Sequence, residues 1–429
     1  MVFRNFDRLL FAASESTPGT AATITTADDF FEVIEPSYTV TPLMFERPLK
    51  SQSFTKQVQT VPGTGKGGAT QPVATVEFSF GMELAGPGSA VASGTAPKMG
   101  TLLKACGLSE IDAYKYGVTG TTYSGGPFYH LEGIEGSAGS YSSPDAKSLG
   151  CNAYGDSEFW ALQASSLGAT SIKSQHSGAT VTATGLSATQ FGVAYIPLTA
   201  STDSQANSTV TMRLYLGGTY VEAVGCKGTF EIAFTHGDRA VINFTFQGFL
   251  NSVTDTANPS DHTYTAEVPP AWINTGMGVG DDTGSSALWT GSLFNSMTFT
   301  LGNEMTVREN TNTASGFQHA IITDRNPNLT WNPDSVVASG NHDIWDSFLA
   351  GQPLWMRWSL GTAAGNRVDF RVTSAQFTGV ADTDRDTVSV YDTTTQLTGG
   401  SFGSSLISAA GTPSSSKMGS DNEFVIIFR

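Results

Sequence analysis

Residues 209–250 read TVTMRLYLGGTYVEAVGCKGTFEIAFTHGDRAVINFTFQGFL, and along them apolar side chains recur at every second position. Met212, Leu214 and Leu216 share one parity, as do Phe230, Ile232 and Phe234, and then Ile242, Phe244 and Phe246. A period of two belongs to strands, whose side chains point alternately to opposite faces. Gly217-Gly218 and His236-Gly237-Asp238 supply tight turns, so the stretch is expected to form a three-stranded antiparallel meander. Its other face carries Thr211, Arg213, Glu231, Ala233, Asn243, Thr245 and Gln247, which fits a sheet with one side in a core and one side in water.

The same pattern extends across the chain. VATVEFSFGMEL places Val76, Phe78, Phe80, Met82 and Leu84 on one face and Glu77, Ser79, Gly81 and Glu83 on the other. A strand is expected near Phe31 to Tyr38, followed by a long loop from Glu46 to Pro72. Further strands are expected in SLFNSMTFTLG, GFQHAIITD, PNLTWNP, QPLWMRWSLG, NRVDFRVTSAQFTG, TVSVYDTTTQL and EFVIIFR. Two short helices interrupt them: MGTLLKACG, stopped at Gly107, and DIWDSFLAG, opened by Asp343 and stopped at Gly351. With 47 Gly and abundant Ser and Thr, the class is mainly β. Residues 110–208 are dominated by Gly, Ser, Thr and Ala and read as an insertion that forms a small exterior β-rich elaboration.

The order strand, loop, strand, short helix, further strands occurs twice, so two related β domains are expected. GDRAVINFTFQGF from Gly237 and GNRVDFRVTSAQF from Gly365 share a Gly, an Asp/Asn and an Arg at the turn, with Phe249 and Phe377 at the end. In that comparison Ala240, Ile242 and Phe244 match Val368, Phe370 and Val372.

Charge and cysteine content exclude several functions. The net charge of −16 is spread over only 14% charged residues, without a basic face, so tight binding of nucleic acid through its phosphates is not expected. Cys106, Cys151 and Cys226 form neither a CxxC motif nor an even disulfide set, which points to a reducing compartment. The N-terminal apolar run is too short for a signal-peptide core, and no membrane-spanning segment is expected.

Catalytic and metal motifs are weak. VPGTGKGG lacks the phosphate-loop spacing. Asp382, Asp384 and Asp386 match the first ligands of a calcium loop, but Thr387 and Thr393 stand where that loop needs Gly and Glu. The six His are scattered, and Cys106 lies on the apolar side of its helix. No enzyme, cofactor or metal is therefore expected.

LLFAASESTPGTAATITTADD, FERPLKSQS, VEFSFGMELAGPG and GTAPKMGTLLKACGL, followed in order by GTFEIAFTHGDRAVINFTFQGF, FTLGNEMTVREN, AIITDRNPNLTW, DTDRDTVSVYDTTTQL and EFVIIF, resemble the tail tube (major tail) proteins of long-tailed bacteriophages. The resemblance spans most of the chain and fails at 110–208 and around 399–420. It implies two related tube-type β-sandwich or barrel domains, each with one short helix. The first would cover 1–255 with the 110–208 insertion, the second 291–429, with a connector at 256–290. Strands would join between subunits into a continuous β-barrel around a lumen, and the rings would stack into a conduit for DNA.

Under that resemblance the non-core parity becomes a lumen wall formed by Glu77, Ser79, Glu83, Glu231, Asn243, Thr245 and Gln247. A wall without Lys or Arg would let DNA pass with little adhesion. Arg47, Lys50, Lys56 and Lys66 fall in the family's inter-ring loop. A duplicated subunit implies a ring of three copies with pseudo-sixfold symmetry in preference to six. The implied partners are further copies of the chain, a tape-measure protein and tail-end proteins, with no membrane. The implied location is the virion tail, after assembly in the host cytoplasm. The competing expectations are a carbohydrate-binding or glycoside-cleaving tail-fibre or adhesin module and a capsid decoration protein.

Overall fold

A computed structural model describes residues 8–47, 57–64, 70–88, 94–117, 129–132, 148–151, 158–162, 171–174, 180–182, 187–198, 208–264, 267–275, 277–281, 294–335, 344–351, 354–398 and 423–429. Among these the architecture is mainly β with two short helices. In chain order the first strands are Arg8–Ser14 (β1), Phe30–Phe31 (β2), Ile34–Pro42 (β3), Met44–Arg47 (β4), Gln57–Thr60 (β5), Pro62–Thr64 (β6), Thr70–Pro72 (β7) and Ala74–Glu83 (β8), followed by helix Gly100–Ala105 (α1). Next come Leu108–Gly117 (β9), Tyr129–Glu132 (β10), Ser148–Cys151 (β11), Glu158–Leu162 (β12), Ser171–Ser174 (β13), Thr180–Thr182 (β14) and Ser187–Pro197 (β15). The expected meander follows as Val210–Leu216 (β16), Thr219–Thr235 (β17) and Val241–Asp255 (β18). The later elements are Gly278–Asp281 (β19), Ser296–Thr300 (β20), Asn303–Glu309 (β21), Phe317–Arg325 (β22), Asn328–Trp331 (β23), helix Ile344–Ala350 (α2), Leu354–Leu360 (β24), Val368–Arg385 (β25), Val388–Leu397 (β26) and Phe424–Phe428 (β27).

Antiparallel ladders run without a break through β3, β8, β18, β17, β20, β23, β26 and β25. The chain enters this sheet twice with the same strand order. In each half the first strand pairs with the second, the second with the fourth, and the fourth with the third. The surroundings repeat as well. Hairpin β4–β5 lies between β3 and β8, as hairpin β21–β22 lies between β20 and β23. Helix α1 follows β8 as α2 follows β23, while β1 pairs β16 and β16 pairs β17 as β19 pairs β24 and β24 pairs β25. Ladders β16–β17 and β24–β25 shift register at the same step, after Val210 and after Leu354. Together β26 and β27 take the place of the single strand β18.

This pairing corrects the strand-to-strand comparison made from sequence. That comparison sets β18 against β25, whereas the ladders match β17 with β25 and β18 with β26. Residues Asn243, Thr245 and Gln247 thus correspond to Asp392, Thr394 and Gln396. The span from Glu46 to Pro72, read as loop, is in its described parts built of the strands β4 to β7. Its residues Lys50, Lys56 and Lys66 lie outside the described residues, as does Asp343. The Gly/Ser-rich segment joins the main sheet at both ends, because β9 pairs β15 and β15 pairs β27. Tyr195 of β15 is fully buried and donates its hydroxyl to Glu110 at 2.6 Å.

The core lies on the apolar face of the eight-stranded sheet, against β1, β16, β24 and both helices. Phe78, Phe80, Phe230, Phe234, Phe244, Phe246, Phe299, Trp331 and Phe377 fill it from the sheet, and Trp358 and Phe370 from the opposing layer. Each such ring contributes roughly 1.5–3 kcal/mol on burial. The rings of Trp358 and Phe370 stack with centroids 5.0 Å apart, and Phe234 meets Phe370 edge-on at 5.4 Å. Both helices end as expected: Gly107 (φ 81°) and Gly351 (φ 61°) adopt the left-handed conformation that closes a helix without a Cβ penalty.

One part of the expected wet face is dry. Thr211 is fully buried because β16 belongs to the second layer and is covered by the segment after β1. There the Glu15 carboxylate accepts from Thr209 Oγ1 (2.6 Å), Thr211 Oγ1 (2.9 Å), the Gly19 N–H (2.7 Å) and the Gly225 N–H (2.8 Å). Arg213 is likewise withdrawn, forming a charge-assisted pair with buried Glu222, which also accepts from Asn251 at 2.5 Å.

The polar sheet face as candidate functional site

The seven residues that the resemblance assigns to a lumen wall share one face of the eight-stranded sheet. Ladder pairs place Glu77 opposite Gln247, Ser79 opposite Thr245, Glu83 opposite Val241 and Glu231 opposite Asn243. The Gln247 amide donates to Glu77 at 3.2 Å, Thr300 Oγ1 to Glu231 at 3.4 Å, and Arg239 pairs with Glu83 at 3.0 Å. Every one of the seven keeps contact with solvent.

The face extends well beyond the residues found from sequence. Ser37 and Thr39 add to it at β3, Thr298 and Thr300 at β20, Asn328 and Thr330 at β23, and Asp392, Thr394 and Gln396 at β26. Matching the two halves strand by strand would have found these positions. Along this run the wall is made of hydroxyls, amides and carboxylates. Its carboxylates repel anions. Among the described residues no group of three or more His, Cys, Asp or Glu is placed to share a metal ion. Asp382 and Asp384 lie near the end of β25, and Asp386 and Thr387 form its two-residue turn with φ of 50° and 70°.

Of the basic loop residues, Arg47 ends β4. Two ends of the sheet are free of ladder partners among the described residues: the outer side of β3 and the outer side of β25 from Gln376 to Arg385. Their N–H directions follow from geometry. Leu43 donates to Val73, so alternate residues Ser37, Thr39 and Thr41 face β8 while Tyr38 and Val40 face outward. On β25 the turn pairs Arg385 with Val388, which directs the N–H groups of Val380, Asp382 and Asp384 outward. Pro36 and Pro42 sit on the outward parity of β3, where a missing N–H is tolerated.

At the lower end of the face, hairpin β21–β22 folds across β17 and β18. Phe317 of β22 packs on Val73, Val224 and Phe249, its ring 6.1 Å from that of Phe249. His319 lies against Gly225 (φ 64°), where any added Cβ would come within 2.8 Å of the His319 Cα. Between hairpin and sheet runs a groove of about 440 Å³ lined by Thr39, Thr75, Glu77, Gln247, Glu309 and Phe317, among others. Beneath the hairpin Lys227 is buried, and desolvation lowers its ammonium pKa to about 8, opposed by the nearby Cys106. Burial in turn pushes the Cys106 thiol well above its ordinary value, so it is an inert core thiol.

Because the folded pKa of Lys227 lies below its unfolded value near 10.4, the unfolded chain binds the extra proton between these limits. Its contribution to stability therefore increases as pH rises from about 8 to about 10.4, and at pH 7 the buried charge is a cost. Lys227→Met is expected to raise Tm at pH 7, with the difference from wild type shrinking towards pH 10. Parallel thermal melts across that range check this, and a constant difference would contradict it.

No protein-family model and no curated protein sequence matches this chain. No helix among the described residues is long and apolar enough to cross a membrane.

Proposed function

We propose that the chain is a structural virion subunit that assembles into rings and stacks them as the tail tube through which phage DNA passes. The observation that carries this reading is the sheet itself. It presents one polar face along β3, β8, β18, β17, β20, β23 and β26 and, among the described residues, ends in two edges without ladder partners. Inside the chain the third strand of the first half, β17, already pairs with the first strand of the second half, β20. Its ladder joins Ile232 to Phe299 and Glu231 to Thr300, and Leu301 donates to Phe230.

The same junction repeated between copies sets β25 of one chain beside β3 of the next. The two halves are then related tube domains, and the register follows from their equivalence: Asp382 opposite Tyr38 and Ala381 opposite Thr39. Such joining satisfies both open edges, which otherwise invite uncontrolled pairing. Three copies supply six equivalent units and close a pseudo-sixfold ring. The polar face then lines the lumen, where hydroxyls, amides and carboxylates dominate and Arg239 is engaged by Glu83, which leaves phosphates little to grip. A tape-measure protein inside the tube and proteins at its ends are the further partners of this reading.

Electron microscopy and native mass measurement of the purified protein test it together. Rings or tubes whose rings contain three chains are expected. Isolated particles that bind glycans instead would replace this reading with that of an adhesin module.

A further inference from the structure

The two hairpins that leave the sheet at corresponding points differ in what covers them. β21–β22 follows β20 and packs on β17 and β18, the strands of the half that β20 adjoins. Its Phe317 is 6% exposed and Ala320 is fully buried. β4–β5 follows β3, the equivalent strand, yet its apolar side chains face solvent: Leu43 is 46% exposed, Met44 56%, Phe45 42% and Val58 58%. Exposed apolar side chains concentrated on one two-stranded arm mark a contact surface.

The position covered by β21–β22 has a counterpart in the other half. Lys227, buried under β21–β22, corresponds to Gln376 of β25, since each precedes its half's inward run and each pairs with an equivalent glutamine, Gln247 or Gln396. Gln376 is exposed. The position under the hairpin is therefore covered in one half, at Lys227, and exposed in the other, at Gln376. Conversely, one hairpin is docked and the other is not.

We infer that hairpin β4–β5 is a lateral clamp: it folds across the lower end of β25 and β26 of a second copy of this chain, the copy whose β25 lies beside its β3. The inference rests on the proposed ring and adds an interaction to it. The docked hairpin also predicts which strand makes the contact. In β21–β22 the returning strand β22 supplies Phe317 and His319 to the contact, so in β4–β5 the returning strand β5 supplies Val58. The clamp would bury apolar surface at every seam, reinforcing the few backbone hydrogen bonds of the strand junction.

Crosslinking tests the clamp in assembled protein. In a Cys151→Ser background, Val58→Cys and Gln376→Cys are combined and treated with a flexible bismaleimide, since Cys106 and Cys226 are buried. The double variant is expected to give covalent oligomers up to the size of one ring, and neither single variant to do so. Tubes that form normally without this crosslink would overturn the clamp while leaving the tube intact. Wild-type protein that forms neither rings nor tubes would overturn both. Independently, Met44→Asp with Val58→Asp, both on exposed positions, should keep the monomer's far-ultraviolet circular dichroism and lose assembly; normal tubes from this variant would likewise overturn the clamp.

Discussion

Asp382→Pro is expected to leave the monomer folded and to abolish its assembly. Asp382 lies on β25 with its side chain exposed and its N–H directed away from β26. Proline there removes no bond of the β25–β26 hairpin, because the ladder to β26 uses Ala381, Thr383 and Arg385. It does remove the donor that would meet β3 of the next copy, and its ring obstructs the approach of that strand. One lost hydrogen bond costs about 0.5–1.5 kcal/mol, but the obstruction recurs at every seam of every ring. Sedimentation should show monomer at concentrations where wild-type protein pellets as tubes, with Tm within a few degrees of wild type. Asp382→Ala, which keeps the N–H, should assemble normally. Wild-type-like tubes from the proline variant would contradict the strand junction.

Reversing charge on the polar face is expected to turn a non-adhesive wall into one that holds DNA. Glu77, Glu231 and Asp392 lie on that face in β8, β17 and β26, and all three are exposed. Replacing each with Lys puts positive charge along the wall in every subunit. Affinity for DNA then falls with a log–log salt slope of about −0.9 per phosphate neutralised. Tubes of the triple variant should retain short duplex DNA at low salt and release it as salt rises, whereas wild-type tubes should retain none at either. Equal retention by the two would remove these residues from the lumen. The exposed positions carry little of the fold, so the variant is expected to assemble.

Sequence periodicity was sufficient for β8, β16, β17 and β18 and for the parity of Glu77, Ser79, Glu83, Glu231, Asn243, Thr245 and Gln247. It was sufficient because one face of each of these strands meets a continuous core. It failed where a strand has neighbours on both faces. Thr211 and Arg213 have the polar parity, yet Thr211 is buried on Glu15 and Arg213 is drawn onto Glu222, pairings that periodicity does not reveal. It also failed on the repeat: a period of two and a shared Gly-x-Arg turn align β18 with β25 as readily as β17 does. The strand order of the ladders fixes the correct frame, and the bulges after Val210 and Leu354 agree with it. Strand β5, QVQT, was missed because its polar residues give no alternation, and its lone Val58 is exposed.

The central claim is that the polar face of one continuous sheet becomes the inner wall of a tube. An electron cryomicroscopy map of the assembled protein tests it most directly. The prediction is three chains per ring, β25 of each beside β3 of the next with Asp382 opposite Tyr38, and Glu77, Glu231, Asn243 and Thr394 pointing into the channel. A map with these side chains on the outer surface, or with β3 and β25 both unpaired, would contradict it.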